Sequence, residues 1–224
     1  MIGRIGLQQQ LAWARATAQA LDAYQATHSV RKLQLGTGTN PLDGWLNTDI
    51  VPAGSGVVFL DSTKRFPIED ATFDYVFSEH HIEHLSYTEG LVTLREAFRV
   101  LRPGGRIRIA TPSLETLIGL YTAPVDELQQ RYIRFITDTF LPDVQTYSPV
   151  FVLNNAFRNW GHQFLYDRAT LQQTMEQVGF VEIASPAPGT SDDPNLRGID
   201  SHGDFIGNEE MSRFETMVLE GRRP

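Results

Sequence analysis

Apolar positions recur along this chain with two different periods. Residues 4–27 place Leu7, Leu11, Ala14, Ala18, Leu21 and Tyr24 at helical spacing, which predicts one amphipathic helix. Such a helix either lids a site or packs on the surface. From residue 31 the pattern shortens. Leu33 and Leu35 mark a first strand, residues 45–50 a second, 57–61 a third and 73–78 a fourth. Residues 88–101 return to the helical period, with Leu91, Leu94, Ala97, Phe98 and Leu101 on one face, and Arg102-Pro103-Gly104-Gly105 stops that helix. A fifth strand, 106–110, alternates cleanly. Strands alternating with connectors imply an α/β fold with a mostly parallel sheet.

The rhythm breaks after residue 113. Residues 114–121 and 126–140 are helical in pattern, and an aromatic, Asn-rich segment follows at 151–162. This predicts either a helical cap over the sheet edge, shaping an acceptor pocket, or a helical layer remote from any ligand. Asp167 caps a helix over 168–178 that Gly179 ends. A strand at 180–183, a long polar loop at 185–210 and a strand at 214–220 complete the chain. The expected organisation is a single domain, 1–224: an N-terminal helix (1–30), a ligand-binding core (31–112), a cap insertion (113–160) and the remainder of the core (161–224).

Residues 31–49 carry the first chemical signal. A strand runs into Gly36 and Gly38, and a second strand ends on Asp49. Glycines after a strand let the backbone approach a nucleotide, and the acid accepts hydrogen bonds from a ribose diol. Asn40-Pro41 stands where a third glycine is usual. Thirteen positions separate Gly36 from Asp49, against about 20 in a full crossover, so the connection is a loop or a single helical turn. Ligands of such sheets lie outside the carboxyl ends of the strands. Gly36–Asn40, Asp49, Asp61, Ser78–His81 and Thr111–Ser113 gather at that rim.

Composition narrows the classes. The net charge is −8 over 224 residues, with no basic run, which argues against nucleic-acid or anionic-membrane partners. The absence of cysteine excludes disulfides, thiolate metal sites and Cys nucleophiles. No signal-peptide core or membrane-spanning run is present, so a soluble cytoplasmic protein is expected.

One string is more specific than the rest: Phe73-Asp74-Tyr75-Val76, Ser78-Glu79-His80, Glu83-His84-Leu85, and Leu94-Arg95-Glu96-Ala97-Phe98-Arg99-Val100-Leu101-Arg102-Pro103-Gly104-Gly105 before an alternating strand. With the glycine stretch, it resembles class I S-adenosylmethionine-dependent methyltransferases of the type 11 sort. The resemblance implies a doubly wound, Rossmann-like, seven-stranded sheet with an antiparallel last strand; the helical cap read from the pattern would enter after strand five. It implies S-adenosyl-L-methionine as cofactor; the polar, aromatic cap points to a small-molecule or sugar-like acceptor. Carried over by position, Leu35, Gly36, Thr37 and Gly38 wrap the methionine part. Asp49 and Ile50 meet the ribose, Asp61 and Ser62 the adenine, and Ser78, Glu79 and His80 the amino-acid tail and methyl. Gln34 departs from the family's usual acid.

Methyl transfer from a sulfonium needs alignment above all. A hydroxyl acceptor also needs a base, and histidine suits neutral pH. His80 and His81 are the expected catalytic bases, although an extended segment cannot point both the same way. Trp160, His162, Tyr166 and His202 are the expected acceptor contacts, with local hydrogen bonding or a solvated loop as their alternative roles. Oxygen is the preferred acceptor atom, and no metal is expected. Three rivals stand beside this reading: a non-catalytic cofactor binder, a nicotinamide-dependent enzyme, and a zinc hydrolase using His80, Glu83 and His84 in a His-x-x-Glu-His pattern.

Overall fold

The computed structural model describes residues 7–224, with the side chains of residue 12 and of 15 onward. The expected helix start at residue 4, and the side chains of Leu7, Leu11 and Ala14, lie outside the described residues. Seven strands, β1 (Lys32–Leu35), β2 (Leu46–Asp49), β3 (Val57–Phe59), β4 (Phe73–Glu79), β5 (Leu101–Pro112), β6 (Val181–Ala184) and β7 (Thr216–Arg222), form one sheet in the order β3-β2-β1-β4-β5-β7-β6. β7 runs antiparallel to both neighbours, and the remaining pairings are parallel. The chain leaves β1 toward β2 and β3, then returns to pair β4 on β1's other side. The switch point, where such sheets bind ligands, therefore lies between the ends of β1 and β4.

The helices are α1 (Leu7–Thr27), α2 (Tyr87–Val100), α3 (Leu114–Thr122), α4 (Glu127–Phe140), α5 (Pro149–Arg158), α6 (Arg168–Val178), α7 (His202–Ile206) and α8 (Glu209–Glu215). Their ends follow local chemistry. Ser86 and Glu89 form a capping box on α2, and Asp167 caps α6, which Gly179 closes at φ 117°. The main core packs Leu21 and Tyr24 of α1, Leu94 and Ala97 of α2, and Leu171 and Met175 of α6 against Leu33, Val76, Ile109 and Leu219 of the sheet. Strand alternation sends Phe77 to the other face, where it meets Trp45 and Leu196.

Five details differ from the sequence pattern. Ala18 is exposed, and Thr17 turns inward instead to donate to the Phe59 carbonyl at 2.8 Å. α2 ends at Val100, one residue before the expected Leu101, where the chain is already extended. Arg102–Gly105 is thus an irregularity inside β5, with Gly104 at φ 82°, rather than a separate turn. The expected polar loop of 185–210 ends in α7 and α8, and its part 185–201 is a packed strap: the wholly buried Arg108 bonds Asp200, Glu220 and the Thr190 carbonyl. The last strand begins at Thr216, because Phe214 and Glu215 belong to α8. α3, α4 and α5 share a second apolar core, which Leu165 and Met211 complete, so the cap draws on residues beyond the expected insertion.

Candidate active site

The glycine turn after β1 is held from below. Gly36 has φ 63° and Gly38 φ 55°, conformations that favour glycine. A Cβ added at Gly36 would also lie 2.4 Å from the His81 ring. That ring is fixed between two hydroxyls, Ser62 Oγ at 3.0 Å from Nε2 and Ser78 Oγ at 3.2 Å from Nδ1. The Asp49 carboxylate accepts the Gly38 N–H at 2.9 Å and the Val51 N–H at 2.8 Å. Gln34 explains the departure from the usual acid. Its buried amide donates to the Asn40 carbonyl at 3.1 Å and accepts the Leu42 N–H at 3.2 Å. A carboxylate could not donate, so the amide suits a short crossover without a third glycine.

A cavity of about 360 Å³ lies between this turn and the cap. Its floor is Gly36–Asn40, and the end of β4 with the following 3-10 turn (Ile82–His84) contributes Glu79, His80, Glu83 and His84. The roof is Leu117, Ile136, Phe140, Ala156 and Trp160, with His162 beside them, and α7 and α8 add His202, Phe205 and Glu215. Thr37 Oγ1 is buried in this wall without a hydrogen-bond partner. An orphaned hydroxyl beside two left-handed glycines fits the expected cofactor, whose polar amino-acid end would meet it.

His80 sits at φ 43°, an uncommon conformation for a non-glycine residue. Its Nδ1 is 3.3 Å from Glu83 Oε1, its Nε2 is 3.0 Å from Thr216 Oγ1, and its ring stacks on His202 at 3.5 Å. Burial pushes the His80 imidazole down, but Glu83, Glu215 and Glu79 outweigh it, and its pKa is raised. Burial likewise opposes the Glu83 carboxylate, yet His80 and His84 hold it at about 2. Burial, then neighbouring His80, lowers His202 to about 3. Burial raises Glu79 and Glu215. Glu79 accepts from the N–H groups of Ser201 (2.9 Å) and His202 (3.1 Å), and Glu215 accepts the Tyr132 hydroxyl. An ionised Glu83 thus favours the protonated form of His80, and the His202 imidazole stacked on it is held neutral.

Of the residues expected from sequence, the cavity brings together Gly36, Thr37, Gly38, Glu79, His80, Trp160, His162 and His202. His81 is a correction: both its nitrogens face serines under the glycine turn, so it braces the turn and does not face an acceptor. The Ser62 and Ser78 hydroxyls both contact that ring. Tyr166 is also corrected. It is wholly buried against Gly90 of α2, where an added Cβ would lie 2.7 Å from its hydroxyl. The Leu35 side chain is in the core, and Ile50 is exposed beyond Asp49. Asp61 stands past the end of β3, paired with Lys64 at 2.6 Å. Sequence reasoning missed Glu215, which read as a strand residue, and Phe205, which lay in the polar loop. The zinc-hydrolase pattern is divided: among the described residues His80 groups with His202 and Glu215, while Glu83 and His84 group with His162.

Residues 44–109 match the family model described as a methyltransferase domain. The chain is 28% identical over 204 residues to a demethylmenaquinone methyltransferase of Streptomyces griseus, covering 80% of each. It is 28% identical over 125 residues to one of a Geobacillus species, covering 54% of this chain and 47% of that protein. A solved SAM-dependent methyltransferase from Archaeoglobus fulgidus aligns over 94% of both chains at 15% identity, with a TM-score of 0.49. Among the described residues no helix is long and apolar enough to cross a membrane.

Proposed function

We propose that the chain, which is a class I S-adenosylmethionine-dependent methyltransferase, methylates an oxygen of a small sugar-like or flat-ringed molecule held beneath the cap. The observation that carries this is the single cavity bordered by both the glycine turn and the cap. When bound, S-adenosylmethionine supplies an electrophilic methyl on a sulfonium whose leaving group is a neutral thioether. Gly36, Thr37 and Gly38 would hold its methionine end, with Glu79 beside them. Asp49 would take the ribose hydroxyls, and Asp61 the adenine edge.

The protein's own part is orientation and exclusion of water, and alignment alone contributes on the order of 7 kcal/mol. Leu117, Ile136 and Phe140 give the roof an apolar surface that would cover the reacting atoms once both ligands fill the cavity. Trp160 and His162 would contact the acceptor. The stacked His80–His202 pair borders the space for an acceptor hydroxyl and is our choice for handling its proton. A second reading, transfer to a ring carbon, is favoured by the apolar and aromatic roof.

The test is calorimetric binding of S-adenosylhomocysteine, followed by transfer of labelled methyl to a panel of hydroxylated sugars and phenols. One methyl gained on oxygen is expected. Absence of S-adenosylhomocysteine binding would sink the reading as a whole, and a carbon- or nitrogen-methylated product would sink its oxygen arm.

A further inference from the structure

We propose that Glu83, His84 and His162 form a site for one divalent cation of the zinc class in the wall of the acceptor cavity. Its use, holding an oxygen of the acceptor, rests on the reading above, but its existence does not. The ligand atoms of these residues lie within 4.8 Å of one another, and all three residues line the cavity. Glu83 is wholly buried. Its Oε2 accepts the Thr111 hydroxyl at 2.9 Å; Oε1 makes no hydrogen bond of good geometry and lies 3.3 Å from His80 Nδ1, a contact the ion would replace.

His162 is oriented as metal-binding imidazoles are. Its Nδ1 lies 2.7 Å from the Ala156 carbonyl, an acceptor, so Nδ1 carries the proton and Nε2 keeps its lone pair. The His84 and His162 rings stand 4.9 Å apart at 74°, edge to face rather than stacked. The backbone holds the two segments together: the N–H groups of Gln163 and Phe164 donate to the Glu83 carbonyl at 2.8 and 3.2 Å, and the Gln163 side chain donates to the His84 carbonyl at 2.7 Å. Two imidazoles and a carboxylate suit zinc, and three protein ligands leave a position open for an acceptor oxygen.

The neighbouring group of His80, His202 and Glu215 is less suited. Its two rings are stacked within 8° of parallel at 3.5 Å, so an ion between them would lie out of both ring planes. His80 nitrogens also face Glu83 and Thr216, and Glu215 already accepts from Tyr132. The proposed site revises the expectation of no metal, and it exchanges His80 of the sequence motif for His162.

The experiment titrates the chelator-treated 224-residue protein with zinc chloride by calorimetry, with cobalt(II) as a spectroscopic probe. One equivalent is expected, and His84→Ala and His162→Ala should each weaken binding by at least about tenfold. His202→Ala should leave binding unchanged. Visible cobalt bands should appear in the parent enzyme and vanish in His162→Ala. Melting curves verify that each variant folds; should His84→Ala fail, His162→Ala decides alone. Lack of stoichiometric binding, binding that survives both substitutions, or binding lost in His202→Ala overturns the site. S-adenosylhomocysteine titrations on the same samples separate the two claims. Zinc binding without it leaves the site standing and removes the acceptor reading; the reverse removes only the site.

Discussion

The floor and the roof of the cavity are held by different means. The floor is backbone, fixed at each step: His81 under Gly36, Asp49 on the Gly38 N–H, and Gln34 on Asn40 and Leu42. The roof is side chains on helices with a small core of their own, and its aromatic edge is open. Trp160 is 45% exposed and Phe205 65%. A floor that tolerates little movement suits a constant donor. A roof of apolar surface with few directed bonds suits an acceptor chosen by shape.

That contrast is breakable by substitution. The largest effect is expected from Arg108→Ala, which leaves Asp200 and Glu220 unpaired in the interior and should cost about 3–5 kcal/mol in denaturant unfolding. It also frees the strap that sets Ser201 and His202 on Glu79, so a loss well under about 1 kcal/mol would show that the strap does not support the floor. Gly36→Ala should cost about 1–3 kcal/mol through its backbone conformation and the His81 contact, and S-adenosylhomocysteine affinity should fall with it. Normal binding by this variant would mean the floor yields.

Asp49→Ala removes the Gly38 anchor and the ribose acceptor, and should cost at least about 1 kcal/mol of S-adenosylhomocysteine affinity by calorimetry. Unchanged affinity takes Asp49 out of the donor site. The smallest effect on stability belongs to the roof. Trp160→Ala and Phe205→Ala should change unfolding free energy by within about 0.5 kcal/mol while raising the acceptor KM and leaving S-adenosylhomocysteine affinity intact. A parallel fall in donor affinity would erase the distinction between the two halves.

Much of the floor was legible because its signals are local. A strand followed by glycines, an acid ending the next strand, and a short crossover are read within twenty residues or so. The expectation that His80 and His81 point apart rested on an extended segment, but β4 ends at Glu79 and the two diverge for another reason. Which of them faces the cavity was not legible, since it follows from the positive φ of His80 and the space beneath Gly36. Glu215 escaped because Phe214–Glu220 alternates like a strand, and only packing of α8 against the cap makes its first two residues helical. Tyr166 was misplaced for a similar reason: its glycine partner in α2 is 76 positions away.

By itself the sequence determined the strands, the glycine turn and the rim of the sheet at which polar groups collect, since period, glycine conformation and capping act between neighbours. Tertiary structure alone decided which histidine braces and which borders the cavity, and which carboxylates join it. Those outcomes depend on burial and on contacts such as Gln163 with His84 and Tyr132 with Glu215, between segments that no local pattern relates.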